Sequence, residues 1–336
     1  MTRLLVANLA AEASLGGVDA RLPEAVWQRI AGAGAYLAVL ARPGDRLWLP
    51  RRAAMPAAVT LPAVDVVFGD LAVAARGAAR ILAWCETAEI AAVRSALPAA
   101  GSSVAARGWI DALWTMAPPP PAVVARCNHR RFGLKVADDG GWALAGTTAV
   151  TTIAELEAWV AAGGARLGGG AWVAKAPQSC AGRDRARGSG AAIPADVATR
   201  LARLLSRHRE LLVEPWCQRT LDFGVAGLIE GDRVRVFAPH RQEVDGRGTA
   251  RAIVIDDDSA TWLSSREIAI IDAAAHHTAT ALSAAGFRGA FGIDGFRYID
   301  PAGIARLCPL LEINARLTFG HLARALFPGG GTLPIA

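Results

Sequence analysis

Lysine is nearly missing from this chain, with two residues in 336 against an abundance of arginine. Cysteine is scarce too: Cys85, Cys127, Cys180, Cys217 and Cys308 are scattered and form no C-x-x-C pair. That excludes a zinc ribbon and a disulfide framework, and it fits a reducing compartment, the cytoplasm. Aromatic residues make up 6% and are not interleaved with arginine in any one segment. The net charge of +6 therefore describes a solvated basic surface with a site for anionic ligands, not a nucleic-acid-binding stripe. No uncharged stretch reaches the roughly 18–20 apolar residues of a bilayer span. The longest candidates, 31–41 and 141–154, are short or broken by Gly and Thr. The mean hydropathy of +0.29 comes largely from alanine, so a soluble protein with no membrane partner is expected. The opening MTRLLVANLAAEAS imitates a signal peptide, but Asn8 and Glu12 interrupt it, and Leu4–Leu9 reads as a first buried strand.

Other absences exclude whole classes. No G-x-G-x-x-G follows the first strand, so a dinucleotide fingerprint is unsupported. No Ser or Cys sits in a G-x-S-x-G setting. Asp222-Phe223-Gly224 and His129-Arg130-Arg131 spell fragments of kinase motifs, yet the second lacks the catalytic Asp and no glycine loop precedes a V-A-I-K lysine. His276 and His277 are adjacent on a predicted helix and point apart, which suits packing or surface roles.

What is present is globular: 53% hydrophobic and 20% charged residues, enough for two or three modest domains. Through about residue 117, RLLVANL, AYLAVLA, VDVVFG and ARILAWC read as strands separated by helices such as Leu22–Ala31 and Ala88–Leu97. That alternation predicts a small parallel α/β layer. Pro118–Pro121 is a stiff linker. Beyond it, Thr152–Ala162 is a helix with a capping box to Glu155, and 171–177 is a strand. Ser179–Gly190 is a Gly- and Arg-rich loop, Ala195–Arg207 a helix and 211–216 a strand. Hairpin-like strands fill 221–256. Glu267–Ala285 is a helix closed by Gly286, and two last strands flank the turn Asp300–Gly303.

The strongest chemical signal is Asp294 with Glu312 and Asn314. Glu312 and Asn314 are two apart on a predicted strand, so both leave the same face. Asp294 lies on the preceding strand; the register decides whether it joins them, since a one-residue slip turns it away. Three oxygen ligands meeting at one point suit Mg²⁺, which completes its octahedron with phosphate and water. A solvated face is the alternative. Against it, Glu312 and Asn314 interrupt the apolar run PLLEIN, where polar atoms need partners.

GAFGIDGFRYID…PLLEINARLTFG resembles the C-terminal signature of ATP-grasp enzymes. In family order, AWVAKAPQSCAGRDRARG resembles the strand–lysine–glycine-loop element and LLVEPWCQRTLDFGV the adenine-side hinge, so the likeness spans about 122–326. It implies an α/β (α+β) ATP-grasp fold, with 1–117 as an N-terminal parallel α/β domain and 118–121 as linker. Residues 122–215 would be the central subdomain and 216–336 the C-terminal subdomain with the metal site. The resemblance implies ATP with two Mg²⁺ ions, or Mn²⁺ in their place, held by Asp294, Glu312 and Asn314. Lys175 would contact phosphate, and Ser179, Gly182 and Arg183 would lie in the loop over it. Glu214 would end the hinge strand, with Pro215, Trp216 and Cys217 reading the adenine edge. Asp222 would accept from ribose hydroxyls or simply serve a turn.

The loop departs from the family's commoner Gly-Gly-x-Gly, though Gly182, Gly188 and Gly190 still let backbone approach phosphates and Arg183, Arg185 and Arg187 add charge. Arg316, on the same strand side as Asn314, would hold the transferred phosphoryl group together with Lys175. Arg241, Arg251 and Arg297 read as surface residues near the site. The implied reaction joins a small-molecule carboxylate and an amine through an acyl phosphate, releasing ADP and phosphate. A small-molecule kinase or an idle ATP-binding module on the same fold are the alternatives, and a homodimer is compatible with any of them.

Overall fold

The computed structural model describes residues 2–16, 22–98, 108–179, 184–190, 192–246, 248–256 and 258–335. The first layer is a four-stranded parallel sheet in the order 65–67, 46–48, 3–6, 80–83. Leu4, Leu5 and Val6 are sealed on both faces, as a strand central to a parallel sheet requires. Helices Glu24–Gly34 and Ala88–Ser95 flank it, the second capped by Thr87, whose hydroxyl accepts from Ile90 N at 3.3 Å. One expected strand is corrected: Ala35–Leu40 is a 3₁₀ helix continuing directly from Gly34. A uniformly apolar run has no period to separate strand from buried helix. The strand at that place in the sheet is Arg46–Trp48, after a turn at Gly44 (φ +87°).

Pro121 opens helix 121–127 at its first position, where the missing N–H leaves nothing unpaired. Helix 130–139 follows and packs on strand 305–314; a Cβ on Gly133 would stand 3.7 Å from Ile313. The central lobe is an antiparallel sheet in the order 148–150, 211–215, 171–175, 185–189, covered by helices 153–161 and 195–208. It has its own core around Leu156, Trp172, Leu201 and Val213. The capping box expected at Thr152 forms only by half. Thr152 accepts from Glu155 N at 3.1 Å, but the Glu155 carboxylate reaches Thr151 instead. A second correction concerns 179–190, because Arg185–Ser189 is a strand paired with 171–175. Its residues, Arg-Ala-Arg-Gly-Ser, carry no apolar alternation; the partner strand supplies the order that they do not.

The last sheet is antiparallel, in the order 305–314, 289–299, 218–230, 240–244, 250–255, 331–334, with 233–236 folded onto 218–230. Helix 265–284 covers one side, starting in a Ser264–Glu267 capping box and ending near Gly286 (φ +83°). Helix 319–326 packs against strands 250–255 and 331–334. One apolar core runs without interruption from the N-terminal layer into this sheet. Among the described residues, no helix is long and apolar enough to cross a membrane.

Candidate active site

In the final hairpin Asp294 lies directly opposite Glu312, and Gly292 opposite Asn314. Residues facing each other across an antiparallel pair share a sheet face, so all three polar side chains project together. The register shifts immediately after Asp294, around Gly295. That bulge lets the outer half of the hairpin keep its own alternation without turning Asp294 over. Asn314 Nδ2 donates to Asp294 Oδ2 at 2.9 Å, and Gln242 Nε2 donates to Oδ1 at 2.6 Å. Arg130, at the start of helix 130–139, places Nη2 3.0 Å from Glu312 Oε1.

The two carboxylates are charged differently by their surroundings. Burial, then the neighbouring Glu312, pushes the Asp294 carboxyl up to about 6, against the pull of the Gln242 and Asn314 amides. Burial also raises Glu312, but Arg130, Lys175 and Arg316 outweigh it and hold that carboxyl below its usual range. Two adjacent carboxylates with an amide at their side, one of them short of positive charge, fit a hard divalent cation.

Lys175 ends strand 171–175 and forms a buried ion pair with Glu214 from the adjacent strand. Burial, only partly offset by Glu214, pulls the ammonium below its usual range. Lys175, Arg130 and Ser179 line one wall of a cleft of about 600 Å³, and Asp294, Glu312 and Asn314 line the floor. Arg130 also donates to Ala176 O and, at 3.4 Å, to Ser179 Oγ. Gly182 and Arg183 lie outside the described residues.

At the hinge, Pro215 pairs with Trp172, and Trp216 commits its N–H to Ala171 O at 2.8 Å. The Trp216 ring lines the cleft beneath two guanidinium groups, Arg187 at 3.6 Å and Arg219 at 5.1 Å from its centroid. Cys217 is buried behind it, against Phe296 and Tyr298. Asp222 stands mid-strand opposite Gln242 and Phe296, not in a turn; it lines the cleft and accepts from Arg219 at 2.8 Å.

Arg316 departs from expectation. The strand ends at Asn314, and Arg316 lies beyond it, ion-paired with the buried Glu12 of the N-terminal layer and 5.3 Å over the Trp84 ring. It lines the cleft with its charge already matched. Arg241, Arg251 and Arg297 are held by Asp256, Asp245 and Glu267 respectively. His276 is exposed beside Asp272 and His277 packs edge-on to Trp142, so neither reaches the cleft. Glu12, Arg130, Arg219, His240 and Gln242 are among the cleft residues that the motifs do not point to. Arg130 carries only the kinase-like triplet as a sequence signal; the others carry no local signal.

No protein-family model matches the sequence, and no curated protein matches it significantly. Solved structures do. A carboxyaminoimidazole ribonucleotide synthase from Aspergillus clavatus, complexed with ATP, superposes with a TM-score of 0.52 at 16% identity, covering 94% of this chain and 70% of that one. A D-alanyl-alanine synthetase A from Vibrio cholerae gives 0.52 at 11%, covering 94% and 88%. An L-amino acid ligase from Bacillus licheniformis gives 0.51 at 12%, covering 96% and 68%. This chain therefore has the ATP-grasp fold: a parallel α/β layer followed by two antiparallel lobes with a cleft between them.

Proposed function

We propose that this chain is an ATP-dependent, ADP-forming carboxylate–amine ligase acting on small molecules in the cytoplasm. The observation that carries the reading is the convergence of Asp294, Glu312 and Asn314 on one sheet face, in the cleft that Lys175 also lines and with Arg130 bound to Glu312. The solved structures of the same fold that are named for ligases and synthetases support it.

Asp294, Glu312 and Asn314 would hold magnesium, which when bound offsets negative charge on phosphate oxygens. Lys175, at the end of a central-lobe strand, and Arg130, at the start of the helix packed on the last hairpin, would present positive charge to ATP phosphates, and Trp216 and Asp222 would lie along the nucleotide's path from the hinge. A substrate carboxylate oxygen attacks the γ-phosphorus, the bond to the β-phosphate oxygen breaks, and ADP leaves. An amine then displaces phosphate from the acyl phosphate and loses its proton as the amide forms. No covalent enzyme intermediate is needed. The chain's own contribution is positioning, charge and exclusion of water that would hydrolyse the acyl phosphate.

An ADP-release screen over amino acids and small carboxylates tests the proposal. Wild type should turn over with at least one acid–amine pair, Glu312→Gln should lose that turnover by 100-fold or more, and hydroxylamine should trap the acyl phosphate as a hydroxamate. ADP release equal in wild type and Glu312→Gln refutes the ligase reading.

A further inference from the structure

His240 opens strand 240–244 opposite Gly224, which lies opposite Asp294, which lies opposite Glu312. The four residues form one row across four strands, on the face that carries the metal-binding trio. His240 is 3% exposed, its Nδ1 is sealed from solvent without a partner, and among the described residues none hydrogen-bonds the imidazole. Two glycines make room for the ring. A Cβ on Gly224 would stand 2.6 Å from Nε2, and one on Gly320 would stand 2.4 Å from Cε1. The same Gly224 Cβ would lie 2.6 Å from Nε2 of Gln242, the side chain that donates to Asp294, so the two nitrogens stand side by side over the floor.

A sealed N–H without an acceptor is rarer and costlier than a sealed lone pair, which assigns the proton to Nε2. Burial, then Arg324 and His321, holds the ring's pKa down at about 3, so it is neutral. The cleft thus has an uncharged donor, locked in place and unspent, beside the carboxylate pair.

The wall adjoining Gly320 is apolar. Phe319 and Trp84 meet at 5.0 Å between ring centroids, and Leu9, Ile30, Ala33 and Ile335 complete the lining from the N-terminal layer and the last strand's end. Of the polar groups at this end, Glu12 and Arg316 are paired with each other, the Thr318 hydroxyl is hydrogen-bonded to His321 Nδ1 at 2.9 Å, and Arg29 is exposed.

We propose that the acid this cleft activates carries a bulky apolar body, which packs against this wall while His240 Nε2–H holds one carboxylate oxygen beside Asp294. The inference rests on the ligase reading for the identity of the bound group, but its test does not need turnover.

Calorimetric titration of the full chain, with magnesium and a non-hydrolysable ATP analogue, should show 3-phenylpropanoate and 4-methylpentanoate binding at least tenfold more tightly than succinate. His240→Phe keeps a ring in the glycine slot and removes the donor. It should weaken 3-phenylpropanoate roughly tenfold, the worth of one hydrogen bond to a charged group, and leave 3-phenylpropan-1-ol unchanged. Ile30→Asp, at a partly exposed wall position, should weaken acid and alcohol alike. Absent binding of both apolar acids, succinate binding as tightly as they do, or His240→Phe binding the acid normally would each overturn the proposal. ADP release with the same acids separates the two readings. Apolar acids that bind but never yield ADP defeat the ligase and spare the inference, whereas ADP from polar acids alone does the reverse.

Discussion

Lys175 and Glu214 show how one residue's two roles can be separated. The pair is buried, with both side chains at or below about a tenth exposed, so removing the ammonium strands a carboxylate in low dielectric. Lys175→Met should therefore lower the unfolding free energy by about 3–5 kcal/mol. Adding Glu214→Gln should restore most of that loss, because the uncompensated charge goes with it. Urea denaturation of the two single variants and the double variant measures the coupling. ADP release should stay lost in the double variant if Lys175 also serves phosphate; recovered turnover would reduce the residue to a structural ion pair.

The 20-residue helix 265–284 begins in a reciprocal cap, Ser264 Oγ accepting from Glu267 N at 3.3 Å and Glu267 Oε2 accepting from Ser264 N at 2.9 Å. Ser264→Ala should cost about 1 kcal/mol in urea denaturation, with ADP release untouched, since the helix lies away from the cleft. Strand 185–189 is the opposite case, short and poor in β-formers yet carrying Arg185 to the cleft and Arg187 over Trp216. A Cβ on Gly188 would stand 2.2 Å from the buried ring of Trp172. Gly188→Ala should therefore cost roughly 1–3 kcal/mol by overpacking and weaken binding of an ATP analogue, seen by calorimetry, because the strand must shift with its arginines.

At the scale of the whole molecule, protons are distributed unevenly between the folded and unfolded states. Burial holds His321 at about 4 and His240 at about 3, against 6.5 in the open chain. Below pH 6.5 the unfolded chain therefore binds more protons at these sites, and stability falls as pH drops. Asp294, raised to about 6, opposes this between its ordinary value of 3.8 and 6, but one carboxyl offsets only one of the two histidines. His129 and His208, both shifted down by burial, add to the histidine side. The urea midpoint should thus be lower at pH 5 than at pH 7.5, and the difference should shrink in His240→Phe. A midpoint independent of pH across that range would contradict the burial of these rings.

Much of the fold was legible because it is written in short-range patterns. The helix read as Glu267–Ala285, which begins two residues earlier at Ser265, the apolar strand ending in Lys175 and the final hairpin each carry periodicity or turn residues of their own. The pattern failed where it was uniform or absent: an unbroken apolar run became the 3₁₀ helix 35–40, and an arginine–glycine stretch became strand 185–189.

By itself the sequence determined that Glu312 and Asn314 share a face, since a strand's period of two leaves no choice once the strand exists. That Asp294 joins them was decided by hairpin register, a property of two strands together. Arg130 reaching Glu312 across 182 residues, Gln242 reaching Asp294 across 52, and Arg316 turning to Glu12 are decisions of the tertiary structure alone. The physical reason is range: hydrogen-bonding geometry along a chain is dictated by neighbours, whereas a buried charge takes whatever partner packing brings within a few ångströms.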